Sequence, residues 1–154
     1  MGLSSNILWH QTTLDGLKGI LNEQGFFYSY SLESILSRES KNNLNVAFPM
    51  VSLCDLPFSE LNDYIKKYGG YLIGMKRTWG KSNGLAPVWY CDSESTILNA
   101  IIDRYNQIEV NIKNGKNFTI SREIFLYTLS HIKNYEGQLI AHDFNKYRFY
   151  DERE

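Results

Sequence analysis

A short apolar run at residues 7–11 reads as a strand, and behind it Leu14, Leu17, Ile20 and Leu21 recur at helical spacing. Thr12 or Thr13 supplies the N-cap oxygen for that helix and Gly25 its stop. Residues 26–30 predict a second strand, residues 31–36 a brief capped helix, and residues 38–45 a polar loop. Residues 46–56 form a mostly apolar strand interrupted by Pro49, which argues for an edge position or a bulge. Pro57 suits the first position of a helix over residues 58–67, closed by Gly69 and Gly70. Strands at residues 71–76 and 87–91 flank a turn-rich stretch at residues 79–84.

In the second half, Ser93 or Ser95 caps a helix running to about Tyr105, with Ile97, Leu98, Ile101 and Ile102 on one face. After a polar loop at residues 111–117, a further helix runs from about Ser121 to Lys133. Beyond Gly137 the pattern turns to a final strand near residues 147–150. Strands and helices do not alternate regularly. The expected class is α+β, a single domain over residues 1–154 with a small mixed or antiparallel sheet and flanking helices.

Composition narrows the function classes. The net charge is −1, so bulk attraction to nucleic acid or to an anionic membrane is not expected. No run approaches the ~20 apolar residues that cross a bilayer, and no signal-peptide pattern opens the chain. The expected compartment is a reducing cytoplasm, with no membrane partner. Cys54 and Cys91 belong to no CxxC or Cys/His cluster, so they predict buried thiols and no metal site. Aromatics make up 14% of the chain, an excess that suits either a ligand pocket or a partner interface, or only an AT-rich coding sequence.

The candidate chemistry starts at His10, where a strand gives way to a helix. There it can bond a ribose hydroxyl or exchange a proton near neutral pH. The plainer alternative is a structural histidine bonded to backbone. Thr12 is either a cap or a ligand contact. Ser52, Cys54 and Asp55 end a strand and either face a cleft or form a simple turn. Cys54 as a nucleophile has only a distant histidine to support it. Arg77, Trp79 and Lys81 place cations beside an aromatic ring, as a phosphate or base would need, or as a solvated turn would show. Glu152 and Glu154 share one face of a predicted last strand. Two such carboxylates can stabilise an oxocarbenium-like transition state, whereas a charged chain end is ordinarily solvated.

Several of these pieces together resemble the AbiGi family of abortive-infection, phage-resistance proteins. The matching segments are Trp9-His10-x-Thr12 with Leu14, Gly16, Leu17, Ile20 and Leu21; Ala47-Phe48-Pro49-Met50-Val51 with Cys54-Asp55-x-Pro57; Tyr68-Gly69-x-Tyr71-x-Ile73-Gly74-Met75 with Trp79-Gly80; Asn83-Gly84 with Pro87-Val88; Ile132-Lys133-x-Tyr135-Glu136-Gly137; and Phe149 to Glu154. The family is described as the antitoxin-like member of a two-gene phage-defence locus, which implies a cognate toxin or antitoxin partner.

A more distant resemblance is to ADP-ribosyltransferase-like domains of the DarT type. It rests on His10-x-Thr12, the helix ending at Gly25 and a late Glu on a strand. It implies an ADP-ribosyltransferase-like fold, NAD as substrate and a macromolecular target. In that reading His10 and Thr12 position NAD, with Ser52 also at the cleft. Tyr71 stacks on nicotinamide, and Glu154, with Glu152 as second choice, promotes glycosidic cleavage. The family's usual ending continues past Asp-Glu-Arg-Glu, whereas this chain stops at Glu154. The resemblance therefore implies either a domain truncated at its C-terminus or a non-catalytic antitoxin or regulator that binds a partner toxin.

Overall fold

The computed structural model describes residues 6–35, 44–62, 65, 69–138 and 146–148. It is an α+β chain of helices and short two-stranded sheets. The chain divides into two compact units, one built from the described parts of Met1–Tyr30 and Pro49–Pro87, the other from those of Ser31–Phe48 and Val88–Tyr150.

In the first unit, β1 (Ile7–Thr12) pairs antiparallel with β4 (Tyr71–Lys76), setting Thr12 opposite Tyr71, His10 opposite Ile73 and Trp9 opposite Gly74. The other edge of β1 is bridged at Trp9, whose N–H and C=O pair with Cys54 at 2.9 and 2.8 Å. Side chains alternate across a strand. Trp9 and Leu72 therefore share one face, where they pack on buried Cys54, Leu56 and Leu61 with Ile65 beside them. Gly74 leaves room there for the indole, since a Cβ would sit 2.8 Å from the Trp9 ring. Leu8, His10 and Thr12 lie on the opposite face with Met75, Ile73 and Tyr71.

Helix α1 (Leu14–Glu23) follows β1 directly. Thr13 caps it, accepting from the Gly16 N–H at 3.2 Å. The left-handed residue that ends α1 is Gln24 (φ 53°), and Gly25 only donates back to Ile20. A second helix, α2 (Arg77–Ser82), stands where a turn was expected. Buried Gly80 seats it on Leu8, 2.9 Å from where a Cβ would be, so α2 packs on the Leu8 end of the His10 face.

Of residues 31–36, expected as a helix, 31–35 belong instead to β2 (Ser29–Ile35), which pairs with β3 (Leu44–Met50), and residue 36 lies outside the described residues. Helix nucleation is costly, and pairing with β3 gives this segment a backbone ladder in its place. Burial here follows a period near two, with Tyr30 and Leu32 exposed, Ser31 and Glu33 half-buried and Ile35 buried. The Ser31 hydroxyl donates to the Glu33 carboxylate rather than capping a helix. The strand expected to Leu56 stops at Met50, past Pro49, and the chain re-pairs only at Cys54. Pro57 stands one place before a 3-10 turn over Phe58–Glu60. Leu61, Asn62 and Ile65 are helical, and the rest of the predicted helix lies outside the described residues.

In the second unit, α3 (Thr96–Lys113) is capped by Ser95 and continues well past Tyr105, because buried Tyr105 and Ile108 extend the Leu98–Ile102 stripe. Helix α4 (Thr119–Leu129) ends earlier than its pattern suggests. Ile132–Asn134 leaves it as β6, pairing in parallel with β5 (Trp89–Cys91) and burying Ile132. A parallel pair needs a long crossover, which α3 and α4 provide. Strands β7 (Glu136–Gln138) and β8 (Lys146–Arg148) pair antiparallel. No helix among the described residues is long and apolar enough to cross a membrane.

Candidate functional site

The first unit gathers four of the residues singled out from sequence. His10 sits half-buried in the middle of β1. Its Nδ1 lies 3.0 Å from the Ser52 carbonyl oxygen. A carbonyl oxygen only accepts, so Nδ1 carries the proton and the neutral ring presents the Nε2 lone pair. Among the described residues no group bonds Nε2. Ser52 thus contributes its backbone to the histidine, while its hydroxyl donates to the Met50 Sδ at 3.7 Å. Thr12 and Tyr71 face each other at the end of the β1–β4 pair, on the His10 face, with Tyr71 40% exposed.

One ring adjoins the histidine, and a second adjoins that ring. Phe26 meets His10 edge-on, ring centroids 5.0 Å apart at 80°. Trp79 of α2 meets Phe26 at 5.6 Å and 51°. Residues 79–84, expected as a turn, belong up to Ser82 to α2. Arg77 is tied down, its guanidinium 2.5 Å from the Asp55 carboxylate and its N–H on the Asn6 carbonyl at 2.9 Å. The signal for Trp79 was its place among the cations Arg77 and Lys81, whereas its contact with Phe26 comes from the helix the segment forms. Phe26 carried none, because its contact depends on how the chain leaves α1.

Cys54 is fully buried in the core on the other face of β1, and its backbone is spent on Trp9, so it is not placed as a nucleophile. Cys91 is also buried, and burial pushes its thiol up. No cluster of metal-ligating side chains occurs among the described residues. Glu152 and Glu154 lie outside the described residues.

The first unit is therefore a small α+β scaffold that presents a histidine and a row of aromatic rings on one face of its central strand. The chain matches the family described as "Putative abortive phage resistance protein AbiGi, antitoxin" over residues 24–154. That is more than half of its length, and the chain belongs to the AbiGi family. The match begins as α1 ends, so His10 and Thr12 precede it. No curated protein and no solved structure matches the chain.

Proposed function

We propose that this AbiGi protein acts in phage defence as an NAD-dependent ADP-ribosyltransferase whose substrate sits on the His10 face of β1. The observation that carries the reading is the His10–Ser52 hydrogen bond, which fixes the ring and leaves Nε2 as an acceptor for a ribose hydroxyl. Thr12 and Tyr71 lie on the same face within the same strand pair.

In the proposed reaction the bond between ribose C1′ and the nicotinamide nitrogen breaks, and its electron pair leaves with neutral nicotinamide. A nucleophilic oxygen or nitrogen of a macromolecule then bonds to C1′ and gives up its proton to solvent or to a carboxylate. Glu154, or Glu152 in its place, would stabilise the positive charge that builds on the ribose.

The test is calorimetry with NAD on the wild-type chain and on His10→Ala. Binding is expected, and His10→Ala should weaken it by at least ~1 kcal/mol, the usual loss for one hydrogen bond. Folded protein that binds no NAD at millimolar concentration ends this reading.

A second reading follows the family's description as an antitoxin, in which the chain binds a partner toxin. Helix α4 supports it by leaving Ile120, Ile124 and Tyr127 exposed at 74, 60 and 69%, on one stripe of the helix. Ile120→Asp with Ile124→Asp should then abolish growth rescue when the chain is co-expressed with its toxin, while NAD binding is unchanged. Full rescue by the double variant would remove α4 from that role.

A further inference from the structure

The Ser52 carbonyl that accepts from His10 lies on a stretch outside the strands. Strand β3 ends at Met50, and the chain pairs again only at Cys54, so residues 51–53 hang between two anchors. On the far side of Ser52, Leu53 is buried and Cys54 exchanges both backbone bonds with Trp9, the neighbour of His10. On the near side, the Ser52 hydroxyl reaches back to the Met50 Sδ at 3.7 Å. A thioether sulfur is a weak acceptor, but this bond ties the carbonyl's own residue to the last residue of β3.

The imidazole depends on where that carbonyl stands. Phe26 meets the His10 ring edge-on, and such packing tolerates a half-turn of the imidazole. A half-turn would bring a ring carbon to the place of Nδ1 and end the bond to Ser52. Histidine free in water favours the proton on Nε2. The Ser52 carbonyl reverses that preference and leaves the Nε2 lone pair for a ligand.

We infer that the Ser52 hydroxyl and the Met50 thioether form a latch that positions His10, holding the Ser52 carbonyl so that the imidazole keeps one tautomer and one orientation. The inference rests on the NAD reading above for what the imidazole binds, and adds the two side chains that keep it ready. Neither side chain need touch the ligand. Both are half-buried, and both belong to the same compact unit as His10. An acceptor fixed before the ligand arrives loses less freedom on binding.

The experiment reads the His10 tautomer from long-range nitrogen–proton spectra of the full chain without ligand. The proteins are wild type, Ser52→Ala, Ser52→Thr, Met50→Leu and the Ser52→Ala/Met50→Leu double variant, with circular dichroism confirming the fold of each. Ser52→Ala removes the donor. Met50→Leu removes the acceptor and nearly conserves volume. Each should shift the proton partly to Nε2, and Ser52→Thr, which keeps a hydroxyl, should restore the wild-type spectrum. The double variant should drift no further than either single one, because both act through the same bond. Affinity for NAD, measured by calorimetry, should fall about twofold to fivefold in Ser52→Ala and Met50→Leu, no more than one hydrogen bond is worth.

If Ser52→Ala does not fold, the volume-conserving Met50→Leu decides the matter. Folded variants that keep the wild-type tautomer overturn the latch and leave the NAD reading standing. A double variant that adds the two drifts overturns the hydroxyl–thioether bond as their route. A drift in tautomer with unchanged NAD affinity overturns the role of the latch in binding. A wild-type chain that binds no NAD at millimolar concentration overturns the NAD reading, while the ligand-free spectra separately uphold or overturn the hold on the ring.

Discussion

The Nδ1 of His10 lies 3.0 Å from the backbone carbonyl of Ser52, a contact that joins β1 to the chain just after β3. The contact selects a tautomer. A carbonyl cannot donate, so the neutral imidazole must hold its proton on Nδ1. Long-range nitrogen–proton spectra of the folded chain should show that tautomer for His10. A spectrum with the proton on Nε2 would break both the hydrogen bond and the acceptor role proposed for this ring.

Gly69 closes tightly on the end of β1. Its φ is +124°, and a Cβ there would lie 2.8 Å from the Thr12 carbonyl oxygen. The Gln11 side-chain amide also donates to the Gly69 carbonyl, pinning the turn from the other side. Gly69→Ala therefore combines a disfavoured backbone conformation with a backbone clash, and should cost more than about 1 kcal/mol in denaturant melts. Gly84 has φ +76° with open space where its Cβ would be. Gly84→Ala should show only the conformational part, about 1 kcal/mol. Equal losses at the two glycines would show that the Thr12 contact carries no weight.

Helices α3 and α4 are joined by Arg122, whose Nε donates to the Glu109 carboxylate at 2.6 Å. That hydrogen bond is the main reason the Glu109 carboxyl is held below its ordinary value of 4.5, with a bond from buried Tyr105 and the charges of Arg122 and Lys113 assisting, and desolvation opposing. The sign follows from proton linkage. A lowered folded-state value makes the unfolded chain the better proton binder. The stabilisation is complete above pH 4.5 and is lost as the pH falls through the lowered value. Over that acid range Glu109→Gln should lose less stability than the wild-type chain. With side chains 27 and 43% exposed, solvent screens the pair, and the difference should stay below about 1 kcal/mol. Parallel acid profiles for the two proteins would remove the pair from the stability of this unit.

Neither Cys54 nor Cys91 forms a disulfide, and both are buried, at 0 and 5% exposure. Burial pushes the Cys91 thiol up, which disfavours the reactive thiolate. A thiol reagent should leave both residues unmodified in the folded chain and modify both in denaturant. Rapid labelling of native Cys54 would contradict its place under Trp9.

The opening of the chain is the part most legible from sequence, because its determinants are local. Leu14, Leu17, Ile20 and Leu21 sit at helical spacing, and a threonine caps them as anticipated, although the cap is Thr13 alone. The period of two along β1 puts His10 and Thr12 on one face whatever the partner strand. Local rules fail where an element draws its reason from a distant neighbour. Ser31–Ile35 is a strand because β3 pairs with it, and Arg77–Ser82 is a helix with no side-chain cap, seated on Leu8. Likewise α4 stops so that Ile132 can bury itself beside Trp89 in the parallel pair.

The sequence by itself determined the α+β class, the exclusion of a long apolar membrane-crossing segment, and the presence of a histidine on a first strand, which the structure sets in mid-strand rather than at its end. Spacing, caps and composition act within a few residues and can be read in one dimension. Only the tertiary structure decided which face of β1 is core and which carries the histidine, that Ser52 fixes the imidazole, and that Phe26 adjoins it with Trp79 beyond. Those relations join segments far apart in the chain. Packing and hydrogen-bond geometry select them once the chain has folded back on itself.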